Sequence, residues 1–128
     1  MSSEQASQLA SPTIAAYADA VSESQLQDDN LAPAYAASYT PVVKRSRTIV
    51  LFGTLTGNTT IGAPIGARAG MELTFVFAQD ATGSRTVTWN AVFKASANGA
   101  GAASTFGSTT FVFNGTNWVQ DAGALTFK

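Results

Sequence analysis

The sequence contains no histidine and no cysteine among its 128 residues. The absence of histidine removes the commonest general base, and the absence of cysteine removes thiolate nucleophiles, disulfides and most transition-metal ligand sets. Charged residues make up only 12% of the chain, against roughly 25% in an average soluble domain. We therefore expect neither an enzyme nor a cofactor, and the low charge favours self-association because such a surface is easily desolvated.

Long apolar runs are also absent. No run of 18 apolar residues exists that could form a transmembrane helix. The N-terminus, MSSEQASQLASP, lacks the positive and apolar regions of a signal peptide. These absences predict a protein made in the cytoplasm and without a membrane partner.

Charge and aromatic residues divide the chain into two parts. Residues 1–43 hold five acids and no base, whereas the remainder holds three acids and seven bases. All eight Phe and both Trp lie beyond residue 47. The composition predicts an acidic N-terminal arm over residues 1–47 and a β-domain over residues 48–128.

The arm contains one possible short helix. Ser11 is a suitable N-cap, and Pro12 fits the first helical position. Apolar side chains recur at helical spacing at Ile14, Tyr17, Ala18 and Val21. A lone helix of about 12 residues is marginal in water. If the helix is ordered, its apolar stripe packs on the β-domain of its own chain or on another chain.

The rest of the arm has features of an interface. Prolines at 33 and 41 disfavour a continuing helix and predict an extended segment carrying two tyrosines. The basic run that follows suits an acidic arm of a neighbouring subunit or the surface of another protein. Three bases are a small footprint for nucleic acid, which we do not expect as a partner. The candidate interface residues are Ile14, Tyr17, Val21, Tyr35, Tyr39, Lys44, Arg45 and Arg47.

Beyond residue 47, apolar and polar residues alternate, as in half-buried strands. From Met71 to Gln79 the aromatic face is expected to be core, and this strand is predicted to pair as a hairpin with Arg85–Asn90. Asn114-Gly115 predicts a second hairpin with a type I′ turn. Six to eight short strands indicate an all-β fold, a β-sandwich or jelly-roll-like barrel with an extended N-terminal arm carrying a short helix.

Few side chains are candidates for chemistry. Asp80 begins a turn, where Asp commonly accepts hydrogen bonds from backbone N–H groups. The acidic pair at Asp28 lacks the ligand spacing of a calcium loop, so no metal is expected. Trp89 and Trp118 are candidate core or stacking residues, and their apolar neighbours favour the core or a subunit interface over a ligand platform.

The order of elements from Leu55 to Gln120 resembles a known β-domain. It comprises a small-residue turn, Gly70, a strand ending in Gln79-Asp80, the turn Ala81-Thr82-Gly83, a strand ending in Trp89, and Phe111-x-Phe113-Asn114-Gly115-Thr116-Asn117-Trp118. This order resembles a β-domain of tailed-bacteriophage virion proteins. The resemblance implies a virion part of the kind found, often as trimers, in tail fibres, head fibres and capsid decoration proteins.

Two functions follow as expectations from this resemblance and from the short chain. The first is a trimeric capsid decoration (cement) protein on the capsid exterior. It binds the major capsid protein or another virion protein through the arm and the oligomeric β-domain, and it stabilises the lattice by multivalent contact. The alternative is a fibre or head-spike component that binds host-surface glycans through residues 95–104 or an exposed Trp.

Overall fold

A computed structural model describes residues 28–128 of the chain, apart from the side chain at position 122. The described part contains nine strands and no helix. The all-β prediction is therefore confirmed for these residues, while the predicted helix at Ile14, Tyr17 and Val21 lies outside them. The strands are β1 (Asp29–Leu31), β2 (Ser38–Tyr39), β3 (Arg47–Leu51), β4 (Thr59–Ile61), β5 (Glu72–Ala78), β6 (Val87–Trp89), β7 (Phe93–Lys94), β8 (Phe106–Phe113) and β9 (Trp118–Phe127).

The first six strands alternate between two parallel stacks. β1, β3 and β5 pair in parallel in one sheet, and β2, β4 and β6 pair in parallel in a second sheet of three strands. Each coil of the chain therefore adds one strand to each sheet, which is the architecture of a β-solenoid. The predicted sandwich or jelly-roll-like barrel is wrong, and so is the hairpin predicted between residues 71–79 and 85–90. The period-two pattern is the same in either topology, because it marks buried faces and not strand partners.

An antiparallel hairpin completes the larger sheet. β8 pairs with β5 and β9 pairs with β8, both antiparallel, so the sheet has six strands in the order β1-β3-β5-β8-β9-β7. The predicted hairpin at Asn114-Gly115 is confirmed, since Phe113 pairs with Trp118. Its turn type is not I′, which needs two positive φ angles, because only Gly115 in this loop has one, at 101°. The Asn114 side chain accepts hydrogen bonds from the backbone N–H groups of residues 116 and 117 at 2.9 and 2.8 Å.

The core lies between the two sheets. The predicted aromatic face of β5 is buried, with Leu73, Phe75 and Phe77 fully inaccessible. Phe75 packs edge-on against Phe111, with ring centroids 6.2 Å apart, and against three other aromatic rings within 6 Å. Burying a large apolar side chain contributes roughly 1.5–3 kcal/mol, so this cluster is the main source of stability in a chain without disulfides.

The described part of the predicted arm, residues 28–47, holds the first coil with β1 and β2 and ends at Arg47, the first residue of β3. Asp29 pairs with Thr48 across the residue-47 boundary that composition suggested. Tyr35 and Tyr39 both pack on Phe52, with ring centroids 6.2 and 5.6 Å away. Strand pairing therefore joins residues on both sides of the shift in charge and aromatic content.

Candidate functional site

The outward side of the larger sheet presents uncharged side chains from several adjacent strands. Strand alternation sends the aromatic residues of β5 inward and its Thr74 and Val76 outward. In register with them, β3 presents Ile49 and Leu51. We call this surface the outer face, and it consists of Ile49, Leu51, Thr74, Val76, Ser108, Thr110 and Val112, with Phe106 and Val119 at its margins.

Large apolar side chains of the outer face are open to solvent. Leu51 is 48% exposed, Val119 42% and Phe106 65%. At the centre, the Thr74 and Thr110 hydroxyl oxygens lie 2.9 Å apart in a cross-strand hydrogen bond. Each hydroxyl group therefore has a hydrogen-bond partner within the protein. A contiguous face of this kind is typical of a surface that contacts another macromolecule.

Three charged side chains stand at one edge of the outer face and are partnered, whereas Asp121 is exposed opposite Thr110 on β9. Arg47 donates from Nε to a Glu72 carboxylate oxygen at 3.1 Å, and a second nitrogen lies 4.0 Å from Asp28. These side chains are 37–55% exposed, so the ion pairs contribute little to folding stability. Their pairing keeps these three charges from standing alone at this edge of the face.

A shallow depression lies at the margin of the outer face, beside the last residues of the chain. Its lining combines an exposed aromatic ring with hydroxyl groups and a cation, at Phe106, Ser108, Thr126 and Lys128, together with Val76, Gly107 and Ala124. An aromatic ring beside hydroxyl donors and acceptors can bind a sugar ring by stacking and hydrogen bonding.

Asp80 has the turn role that the sequence predicts. One of its carboxylate oxygens accepts hydrogen bonds from the N–H groups of Thr82 and Gly83, at 3.1 and 2.9 Å. The Arg85 guanidinium donates to both carboxylate oxygens, at 3.3 and 3.0 Å. The hydrogen bond from Arg85, followed by that from Gly83, lowers the pKa of Asp80. The carboxylate therefore stabilises a turn and is poorly suited to donate a proton.

The structure places both tryptophans against the aromatic cluster. Trp118 is 1% exposed, and Trp89 is half-buried between Phe93 and Phe111. The Trp89 indole N–H donates to the Asn98 side-chain oxygen at 3.1 Å. Asn98 lies in the loop that was expected to bind glycans, so this contact fastens the loop to the core instead of leaving Trp89 free for stacking.

The structure brings some of the candidate interface residues together and separates others. The Tyr35 hydroxyl donates to the backbone oxygen of Asn58 at 2.7 Å, and burial, followed by the charge of Asp29, raises the pKa of Tyr39. Both tyrosines thus help to build the first coil. Lys44 and Arg45 instead line a surface depression with Arg68.

Sequence reasoning named none of the outer-face residues as an interface. The available signal was the second face of β5, where Thr74 and Val76 alternate with the core residues. That pattern could not be interpreted without the register, because only the pairing with β3 and β8 aligns Val76 with Leu51 and Ser108 into one surface.

Within residues 28–128, no three His, Cys, Asp or Glu side chains are grouped as metal ligands. No helix in this range is long and apolar enough to cross a membrane.

Comparison with known proteins gave one finding. A family model described as "Putative phage tail fibre C-terminal domain" matches residues 39–118, which is 80 of the 128 residues. A search of curated proteins found no match, and neither did a search of solved structures. The matched range runs from β2 to the start of β9, and so contains most of the solenoid and the outer face.

Proposed function

Because the chain belongs to the family of phage tail fibre C-terminal domains, a structural part of the virion, we propose that it is a component of a phage fibre. The family match over residues 39–118 carries this proposal. It favours the fibre component, which the sequence left as the alternative, over the capsid decoration protein that was the first expectation.

We propose further that the fibre component is a homo-oligomer whose subunits meet through the outer face. Desolvation of this surface costs little free energy, because Leu51 and Val119 are apolar and the threonine pair is already hydrogen-bonded. The resemblance noted in the sequence implies a trimer. Its work is mechanical, since the chain offers neither histidine nor cysteine and the Asp80 carboxylate is already held by Arg85.

A charge at the centre of the outer face tests this assignment. Val76→Lys places an ammonium group where Leu51 and Ser108 are its neighbours and where the register supplies no carboxylate partner. An unpaired charge buried at an interface costs several kcal/mol, so we expect the subunit Kd to rise by about 100-fold or more. The mass in solution, measured by light scattering, is expected to fall from that of an oligomer to that of one chain.

Thr88→Lys is the matched control, because Thr88 is exposed on the smaller sheet. The control should keep the wild-type mass, and both variants should keep the wild-type circular dichroism spectrum. A wild-type protein that is a monomer at all concentrations, or a Val76→Lys variant of unchanged mass, contradicts the assignment.

Host-surface glycan binding is a second proposed function, supported by the depression at Phe106, and it is an alternative to the subunit interface because Val76 and Ser108 line both surfaces. That ring is 65% exposed beside Ser108 and Thr126. A glycan array probed with the wild-type protein should give binding that Phe106→Ala reduces at least tenfold, while Thr88→Ala leaves it unchanged. An array without any bound glycan counts against this function and leaves the fibre proposal standing.

A further inference from the structure

One end of the solenoid presents two open strand edges. β1 is an edge strand of the larger sheet and β2 is an edge strand of the smaller one. Both belong to the first coil, so the two edges face the same way. Within residues 28–128, no other strand pairs with these edges. Open edges of this kind pair readily with a further strand.

The side chains at this end are also incompletely covered. Leu31, Tyr35 and Tyr39 are half-buried and pack against the core. In the next coil, the corresponding Val50 and Ile61 are fully buried because a coil lies on either side of them. The core is therefore less completely covered at this end of the solenoid than in the next coil.

The segment preceding β1 repeats the sequence of the first coil. At a spacing of 22 residues, Leu9 matches Leu31, Tyr17 matches Tyr39 and Val21 matches Val43. The same spacing separates Ser38 from its stacked partner Thr60. Leu31, Tyr39 and Val43 are the side chains that turn toward the core. Three smaller residues also recur at this spacing, in the pairs Ala10/Ala32, Ala15/Ala37 and Ser24/Ser46.

Charge supports the same register. Glu23 corresponds to Arg45, so in-register stacking would bring opposite charges together. Residues 1–27 contain acids and no base, whereas Lys44, Arg45 and Arg68 line one depression beside this end. Asp19 corresponds to the buried Pro41. A polar residue there suits a terminal repeat, whose outer side faces water.

We propose that residues 7–27 form one additional coil of the solenoid, which pairs with the open edges of β1 and β2 in the same chain. Stacked partners in the described coils lie 19 to 28 residues apart, as in Asp29 with Thr48 and Thr59 with Val87. The 28 residues before β1 are therefore long enough for one coil. This coil takes the place of the helix that the spacing of Ile14, Tyr17 and Val21 predicts, and it covers an edge that would otherwise be open to other chains.

A pair of introduced cysteines tests the register directly. The chain has no cysteine, so Ala15→Cys with Ala37→Cys introduces the only two thiols. Stacked strands lie about 4.8 Å apart, within the Cα separation of about 4.4–6.8 Å that a disulfide requires. Under mild oxidation we expect a disulfide within one chain, detected by faster migration on a non-reducing gel and by the loss of two hydrogen masses.

The control pair is Ala6→Cys with Ala37→Cys, which the proposed register keeps apart. It should oxidise at least tenfold more slowly than the in-register pair. Equal oxidation rates would indicate an unordered segment and overturn the proposal. Disulfides formed between chains would overturn it too, because the coil would then belong to another copy.

Deletion of residues 1–27 provides an independent readout. Amide hydrogen exchange in β1 and β2 should rise at least tenfold in the shortened chain, while exchange in β8 and β9 stays unchanged. Unchanged protection of β1 and β2 would overturn the proposal. So would a helical circular dichroism signal that is lost with the segment. The disulfide test uses the full chain, and it remains decisive if the shortened chain does not fold.

Discussion

Gln79 offers a quantitative test of how the solenoid holds its turns. Its side chain is 3% exposed and makes two hydrogen bonds to the backbone of Arg85. Its Nε2 donates to the Arg85 carbonyl at 2.8 Å, and its Oε1 accepts from the Arg85 N–H at 3.0 Å. One amide group thus fastens the end of β5 to the turn that leads to β6.

The expected loss in Gln79→Leu follows from these two bonds. Leucine has a similar volume but can neither donate nor accept a hydrogen bond. Each intramolecular hydrogen bond contributes about 0.5–1.5 kcal/mol net, so the free energy of unfolding should fall by about 1–3 kcal/mol. For a domain of about 100 residues, this lowers the Tm by roughly 5–20 °C.

Thermal and urea unfolding of Gln79→Leu measure this loss, and Thr88→Leu is the control for adding an apolar residue at an exposed strand position. Gln79→Glu gives a second check through pH. Its buried carboxyl group should have a raised pKa in the folded state, so its stabilising contribution is present at low pH and is lost as the pH rises through that pKa. A Gln79→Leu variant that unfolds within about 1 °C of the wild type would refute the reasoning.

Three further predictions concern the turn, a glycine and the core. The pKa of Asp80 is lowered in the folded state, so its stabilising contribution is present above the unfolded pKa and is lost as the pH falls through the folded pKa. In Asp80→Asn, the free energy of unfolding measured in urea should therefore fall less at low pH than it does in the wild type. Gly83 and Gly70 both have positive φ, at 71° and 93°, but of the two only Gly83 has backbone atoms where a Cβ would lie. Gly83→Ala should therefore lower the Tm clearly more than Gly70→Ala. Equal losses of Tm would contradict the collision. Phe75→Ala removes a fully buried ring and should cost about 3–5 kcal/mol in calorimetric or urea unfolding, whereas a cost below about 1 kcal/mol would show that the cluster repacks.

Local patterns in the sequence predicted the local structure well. The alternation in residues 71–79 predicted the buried face of β5, and Asn114-Gly115 predicted the hairpin between β8 and β9. Asp80 was predicted as a turn residue because its chemistry acts over only five residues, as its bonds to Thr82, Gly83 and Arg85 show. Each of these features depends on neighbours in the chain, and the sequence displays such neighbours directly.

Strand partners were predicted poorly, because they depend on residues far apart. β5 is followed by a turn that leads to β6, yet β5 pairs with β3 on one side and with β8 on the other. A hairpin between β5 and β6 would satisfy the same alternation, so period alone cannot choose between the two. The outer face was missed for the same reason, since it exists only when Leu51, Val76 and Ser108 come into register.

By itself the sequence determined the all-β character, the inward face of the central strand and the resemblance to a phage virion domain, which the family match supports at that level. Only the tertiary structure decided that the strands stack as coils, that residues 29–39 belong to the first coil, and that an apolar face remains open on the larger sheet. The physical reason is that side-chain alternation records which face of a strand is buried, whereas hydrogen bonding between distant backbones decides which strand lies beside it.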